Sequence, residues 1–485
     1  MMNTFNLKSG IIALLFVSIV FFSCEEDEGN RPDSLTVVVA DDFETSFGRT
    51  VELDGSRTSD ASGASISYSW EVVSFPGDHF TPASLEDTDR PIAKFTPLQV
   101  GEFVFRLTAT TEFESQSATM MVRVDAQIVE VGGVLSGVTE TWGRTTPEGM
   151  PDYRITSLVS LRESQITVLP GVEIEMTENV GFNVEANSFL NMIGTEEEPI
   201  LVYGREKTKG FWTSIRWVSG SANNRMEYVH LSDGGRNRNN DRGMITFGNN
   251  GSLHMEKCIL SNASNAGLEI GIVTSRSNLN ITHIANDYKD NVRPVLATAS
   301  NFHVLDSESD YTGNEDDIID SRLSFGTTPT DDLVWQKLNV PYVAGGIAVD
   351  GDLTVQAGAV IRIGGGNDLV RVTNGTIKLE GTEDDPVVFE GLESGVGTWK
   401  GIYITSSGGN SINHATISGT GSGALTSGGA LAAILVRNGS LSIDNTLFRD
   451  GRGYGFATWG GAPLVNAGDN IVLENMGLGL TNMND

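Results

Sequence analysis

The chain has 485 residues, with 63 acidic against 32 basic side chains, a formal net charge of -31, 56 glycines and 2 cysteines. A polyanion of this size repels nucleic acid, because binding phosphates depends on cationic side chains displacing counterions. Two widely spaced cysteines build neither a disulfide framework nor a structural zinc site, and 39% hydrophobic residues is too many for a disordered chain.

At the start, Lys8 precedes an almost wholly apolar run from Ile11 to Phe22. That run suits a signal peptide and is short for a membrane span of about 20 residues. It ends in Phe21-Phe22-Ser23-Cys24, which resembles the lipobox of bacterial lipoproteins. The resemblance implies a signal peptide over 1–23, removed before a lipid-modified Cys24, with outer-membrane lipid as partner. Two or more acyl chains anchor stably, since each buried methylene contributes about 0.8 kcal/mol. Residues 24–34 read as an acidic tether, and Glu25-Glu26-Asp27-Glu28 resembles the tag of lipoproteins exposed at the cell surface.

From 35 to 126 the pattern is period-2 alternation broken by short turns. Leu35-Thr36-Val37, Ser67-Tyr68-Ser69-Trp70 and Phe103-Val104-Phe105 are examples, and together they predict an immunoglobulin-like β-sandwich. Leu53-Asp54-Gly55-Ser56 with Asp60, Tyr68-Ser69-Trp70 and Phe95-Thr96-Pro97 resemble a polycystic-kidney-disease (PKD) type domain. The resemblance implies a core role for Trp70 and turn-fixing carboxylates at Asp54 and Asp60.

The remainder, 127–485, repeats itself. Ile166-Thr167-Val168-Leu169-Pro170-Gly171-Val172 answers to Leu353-Thr354-Val355-Gln356-Ala357-Gly358-Ala359, an offset of 187 (171 to 358). Trp212 answers to Trp399 at the same offset (212 to 399), and Trp142 answers to Trp335 with a shorter connection in the second copy. Segments of three to six apolar-alternating residues, split by Gly, Asn or acidic turns, are too short for helices and cannot bury a face alone. Short strands, Gly/Asn corners and repetition predict a parallel β-helix in two copies, about 134–325 and 326–485. The motifs resemble right-handed parallel β-helix proteins of the pectin-lyase-like superfamily, whose matching words here are scaffold words. The fold class is therefore all-β, a sandwich followed by a duplicated right-handed parallel β-helix.

Candidate sites are sparse. The loop Asp233 to Arg242 gathers Arg236, Arg238, Asp241 and Arg242, the residue types by which β-helix lyases place a base beside carboxylates. Its counterpart, 419–429, has no charge. Trp459 with Tyr454 is the best aromatic platform for stacking sugars. Asp306, Glu308 and Asp310 alternate carboxylates in a way that suits calcium, without EF-hand spacing. Cys258 aligns with Thr446 and reads as an inward-packing thiol.

These features predict a lipid-anchored outer-membrane protein, displayed at the cell surface, that binds neutral polysaccharide or surface proteins without catalysis. The alternative is a polysaccharide lyase or glycoside hydrolase on the same scaffold. Calcium is the one cofactor the sequence suggests.

Overall fold

The computed structural model describes residues 34–77, 81, 84–239, 241–271, 279–321, 326–327, 332–428, 430–461 and 463–482. The signal-like run, Cys24 and the acidic tag lie outside the described residues. The chain divides into two compact units.

The first unit is a β-sandwich. A four-stranded sheet orders Phe43–Ser46, Ser115–Asp125, Gly101–Thr110 and Ser67–Ser74. A three-stranded sheet orders Val51–Asp54, Ile92–Phe95 and Leu85–Glu86. Alternation puts Phe103, Phe105 and Leu107 on one side of their strand, all buried with Leu53, Phe95 and Trp70. The Trp70 indole Nε1 donates to the Arg90 carbonyl at 3.1 Å. Asp54 Oδ1 accepts from the Ser56 amide at 2.8 Å and Asp60 Oδ1 from the Ser62 amide at 2.6 Å, the turn-fixing roles expected of them. A side chain at Gly55 would collide with Leu107 and crowd Trp70, so this turn needs glycine for close approach.

The second unit is a right-handed parallel β-solenoid of about 12 turns. Each coil of the first copy supplies strands to three faces. On the first face Glu173–Met176, Ile200–Gly204, Val229–Ser232, Ile259–Ser261 and Asp287–Lys289 stack in parallel. On the second, Phe182–Val184, Ile215–Trp217, Gly243–Phe247, Ala266–Ile270 and Arg293–Ala297 do the same. On the third, Thr139–Trp142, Gln165–Val168, Phe189–Ile193, Arg225–Glu227, Ser252–Glu256 and Asn280–Ile284 stack.

Strands this short stabilise nothing alone; stacking buries one continuous apolar core running through both copies. The corners explain the Asn and acidic turns. Asp233, Asn262 and Asp290 occupy successive coils with φ of 71°, 57° and 58°, a left-handed backbone that short polar side chains tolerate. Asn286 and Asn291 are buried and satisfy main chain between coils: Asn286 Oδ1 accepts from Cys258 N at 2.9 Å, and Asn291 Nδ2 donates to the Leu260 carbonyl at 2.9 Å.

The duplication carries a phase shift. Val360–Ile363 is the counterpart of Glu173–Met176 (173 to 360) on the first face. Yet it stacks through Tyr342–Ala344 and Ile319–Ser321 onto Arg293–Ala297, a strand of the second face. The first copy is thus not a whole number of turns, and equivalent faces of the two copies differ by one face. A 3-10 turn, Ala299–Val304, stands where a third-face strand is due. The register opens the copies at Val129 and Ile319, since Ile319–Ser321 pairs with Tyr342–Ala344 as Val129–Val131 pairs with Tyr153–Ile155.

Candidate functional site

Equivalent loops cover equivalent outer surfaces in the two copies, with opposite chemistry. In the first copy the outward column beside the loop before Gly243 is Asn183, Arg216, Thr246 and Glu269. In the second copy the matching column is Arg371, Tyr403, Leu435 and Ala457. Alternation dictates this, because the neighbours Ile215, Trp217, Ile402 and Ile404 are all buried in the core.

The first surface is a polar niche. Asp241 Oδ2 sits 3.6 Å from Arg216 Nε. Burial pushes the Asp241 carboxyl up, and Arg216 pulls it back down. Glu269 Oε2 accepts from the amides of Arg242 at 2.5 Å and Gly243 at 3.1 Å, while burial raises its pKa and those amides lower it. Thr246 is buried between Arg216 and Glu269 in the column.

Arg236 and Arg238, expected to converge with these acids, do not, while the charge of Arg242 acts on Glu269. Arg236 turns away, donating from Nε to the Gly210 carbonyl at 2.6 Å and from Nη1 to Asn179 Oδ1 at 2.7 Å. Asp233 is buried as a corner clamp, its Oδ2 accepting from Gly204 N at 3.0 Å and its Oδ1 from Asn262 Nδ2 at 2.7 Å. Arg238 is exposed, and its main chain pairs with that of Asp241 to close the loop at 3.1 and 3.0 Å. Of the group named from sequence, Asp241 alone faces a guanidinium, and that is Arg216. The outward column contains Arg216 and Glu269, which sequence reasoning missed. The signal was available, since 216 and 403 are counterparts at the 187 offset and differ in character.

The second surface is an outer apolar cluster of Leu369, Tyr403, Leu425, Leu435 and Ala457, with Tyr454 and Trp459 packed half-buried at its margin. The loop closes onto it: a Cβ on Gly428 would lie 3.3 Å from the Trp459 ring. Trp459 therefore presents an edge of a packed ledge rather than a free ring face. The other tryptophans are core. Trp212 and Trp399 are buried and make the same bond, Nε1 to the carbonyls of Ser232 at 2.6 Å and Ser418 at 2.7 Å. Trp142 stacks on Tyr153 at 4.7 Å as Trp335 stacks on Tyr342 at 5.9 Å.

The acidic run does not form an oxygen cage. Asp306 Oδ2 lies 2.5 Å from His283 Nδ1 and accepts from Ser309 Oγ at 2.8 Å. Asp310 Oδ1 accepts from the Thr312 amide at 2.9 Å and Asn339 Nδ2 at 2.8 Å, and Glu308 is exposed. Among the described residues no three His, Cys, Asp or Glu side chains converge to hold a metal ion. The alternating carboxylates here fasten turns. We expect calcium and a chelator to leave the thermal unfolding curve superimposable; a calcium-dependent rise in melting temperature would contradict this. Cys258 is buried, its Sγ 3.3 Å from the Met226 carbonyl, and burial pushes the thiol up to about 12, which makes it an inert packing group.

Residues 40–124 match a family model described as a PKD domain, so the sandwich contains a PKD-like domain. A solved PKD domain from the KIAA 1837 protein is similar at 31% identity, over 20% of this chain and 91% of that one, with a TM-score of 0.17. A nucleoside hydrolase-related hypothetical protein from Saccharophagus degradans, associated with carbohydrate metabolism, is similar at 24% identity over 19% of this chain, with a TM-score of 0.17. The match spans 25% of that protein's length. The endo-beta-1,4-mannanase from Thermotoga petrophila is similar at 18% identity, over 21% of this chain and 22% of that one, with a TM-score of 0.14. No curated protein matches the chain.

Proposed function

We propose that this protein is a non-catalytic binding module of the cell surface, whose solenoid contacts neutral glycans or surface proteins. Cys24 carries the lipid that holds it in the outer membrane, and the PKD-like domain serves as a spacer. The observation that carries the binding reading is the ledge of Tyr403, Leu425, Leu435, Tyr454 and Trp459, an apolar and aromatic cluster on the outside of a solenoid. Leu425, Leu435 and Tyr403 are buried beneath the loop, so the half-buried Tyr454 and Trp459 at the margin are the groups of this cluster open to a partner with apolar faces. The anchor rests on Phe21-Phe22-Ser23-Cys24 and the acidic run behind it. No helix among the described residues is long and apolar enough to cross a membrane. The net charge of -31 favours uncharged partners over polyuronates.

Passing the protein over immobilised neutral polysaccharides, with product analysis of the same incubations, tests the reading. Retention without depolymerisation is expected. Cys24→Ser should move the protein from the membrane fraction to the soluble one. The rival, a lyase or glycoside hydrolase, draws on one observation, the half-buried carboxyls of Asp241 and Glu269 near Arg216 and Arg242. Depolymerisation lost in Arg216→Ala would establish it in place of the binding module.

A further inference from the structure

A groove of about 550 Å³ lies on a different surface of the first copy, and neither outer loop reaches it. Its floor is one outward column of the first face, in which His230, Ile259 and Asp287 stack on successive coils. At the coil spacing of about 4.8 Å, three coils give a floor about 10 Å long, the reach of a short oligosaccharide. One wall is the corner between third and first faces, where Tyr228 and Lys257 occupy successive coils at φ of 49° and 53°. Bulky residues with positive φ are unusual and strained, and such strain persists where the surroundings enforce it, frequently at binding sites. The counterparts in the second copy are His414 and Asn445, so the side chains rather than the corner are particular to the groove. Glu196 comes from the turn at the same corner on the preceding coil, where Ile200 N bonds the Tyr228 carbonyl at 3.1 Å.

The chemistry of these six residues is mixed. Lys257 Nζ donates to the Tyr228 hydroxyl at 2.8 Å and lies 5.0 Å from the ring centre, which leaves further donors on the ammonium. Glu196 and Asp287 supply acceptors, and Ile259 supplies an apolar strip between polar ends. Burial, with a smaller contribution from Lys289, lowers the His230 pKa, so at neutral pH its imidazole is uncharged and offers one donor and one acceptor. Two carboxylates against one ammonium oppose an anionic ligand. A ligand with alternating hydroxyls and C–H faces uses every one of these groups.

We propose that this groove is a binding site for a short stretch of uncharged oligosaccharide, lying along the solenoid axis across His230, Ile259 and Asp287. It rests on the glycan branch of the proposed function and adds a second contact away from the Trp459 ledge. The test titrates cellohexaose, mannohexaose, laminarihexaose and an oligogalacturonate into the full chain by calorimetry, beside retention on the parent polymers. Lys257 and Asp287 are exposed, so Lys257→Ala combined with Asp287→Asn should keep the wild-type melting temperature. Expected is binding of a neutral hexaose, weakened at least about tenfold in the double variant and unchanged in Trp459→Ala. Unchanged affinity in the double variant, or preference for the oligogalacturonate, overturns the groove and leaves the binding module standing. Polymer retention with no hexaose bound does the same; absence of both overturns groove and glycan reading together.

Discussion

Trp399→Ala should lower the stability of the solenoid by about 3–5 kcal/mol. The indole is fully buried, so its removal leaves a cavity in the continuous apolar core. It also orphans the Ser418 carbonyl, which now accepts Nε1–H at 2.7 Å. Trp399→Phe should recover much of the volume but not the hydrogen bond, and fall between. The informative contrast is Trp459→Ala. That ring is half-buried on an outer ledge, and its loss should cost about 1 kcal/mol while weakening glycan retention. Denaturant unfolding followed by far-ultraviolet circular dichroism separates the two. If Trp399→Ala unfolds with the wild type, the shared packing role of Trp212 and Trp399 is wrong.

Acid should destabilise the junction between the copies through Asp306. Burial works against its charged form, but the hydrogen bond and charge of His283, with Ser309 and the Ala285 amide, outweigh burial and bring it down to about 2. A carboxylate whose folded pKa lies below its unfolded value of 3.8 stabilises fully above the unfolded value. That stabilisation disappears as pH falls from about 4 through about 2, and a shift of this size corresponds to about 2 kcal/mol. His283 Nε2 lies 2.7 Å from the Tyr288 hydroxyl, and Tyr288 stacks on Tyr311 at 5.4 Å, so the pair holds the last coil of the first copy. Asp306→Asn should reduce stability at pH 7 and flatten the loss between pH 4 and 2. A variant with the wild-type acid profile would remove Asp306 from this role. His283→Ala should be more damaging, since it leaves Asp306 and the Tyr288 hydroxyl without their shared partner.

Much of this was legible in the chain. The 187 offset predicted that Trp212 and Trp399 share a job, and their equal bonds to Ser232 and Ser418 bear that out. Trp217 stands opposite Ile404 at the same offset (217 to 404), and both are fully buried. The candidate sites were read less well. Charge density drew attention to Arg236, whose guanidinium in fact serves Gly210 and Asn179. Arg216 and Glu269 passed unnoticed because each is a lone charge in an apolar strand word.

Composition, period-2 strand words and the repeated motifs determined by themselves an all-β chain, a sandwich followed by a solenoid, and the inward or outward sense of most strand residues. Those properties are local, since alternation and turn preference act within a few residues. Tertiary structure alone decided which outward groups meet. In a parallel solenoid the neighbour of a residue lies one coil away, and coil length varies with every loop. Thus Arg216 found Asp241, His283 found Asp306, and the second copy began one face out of phase with the first.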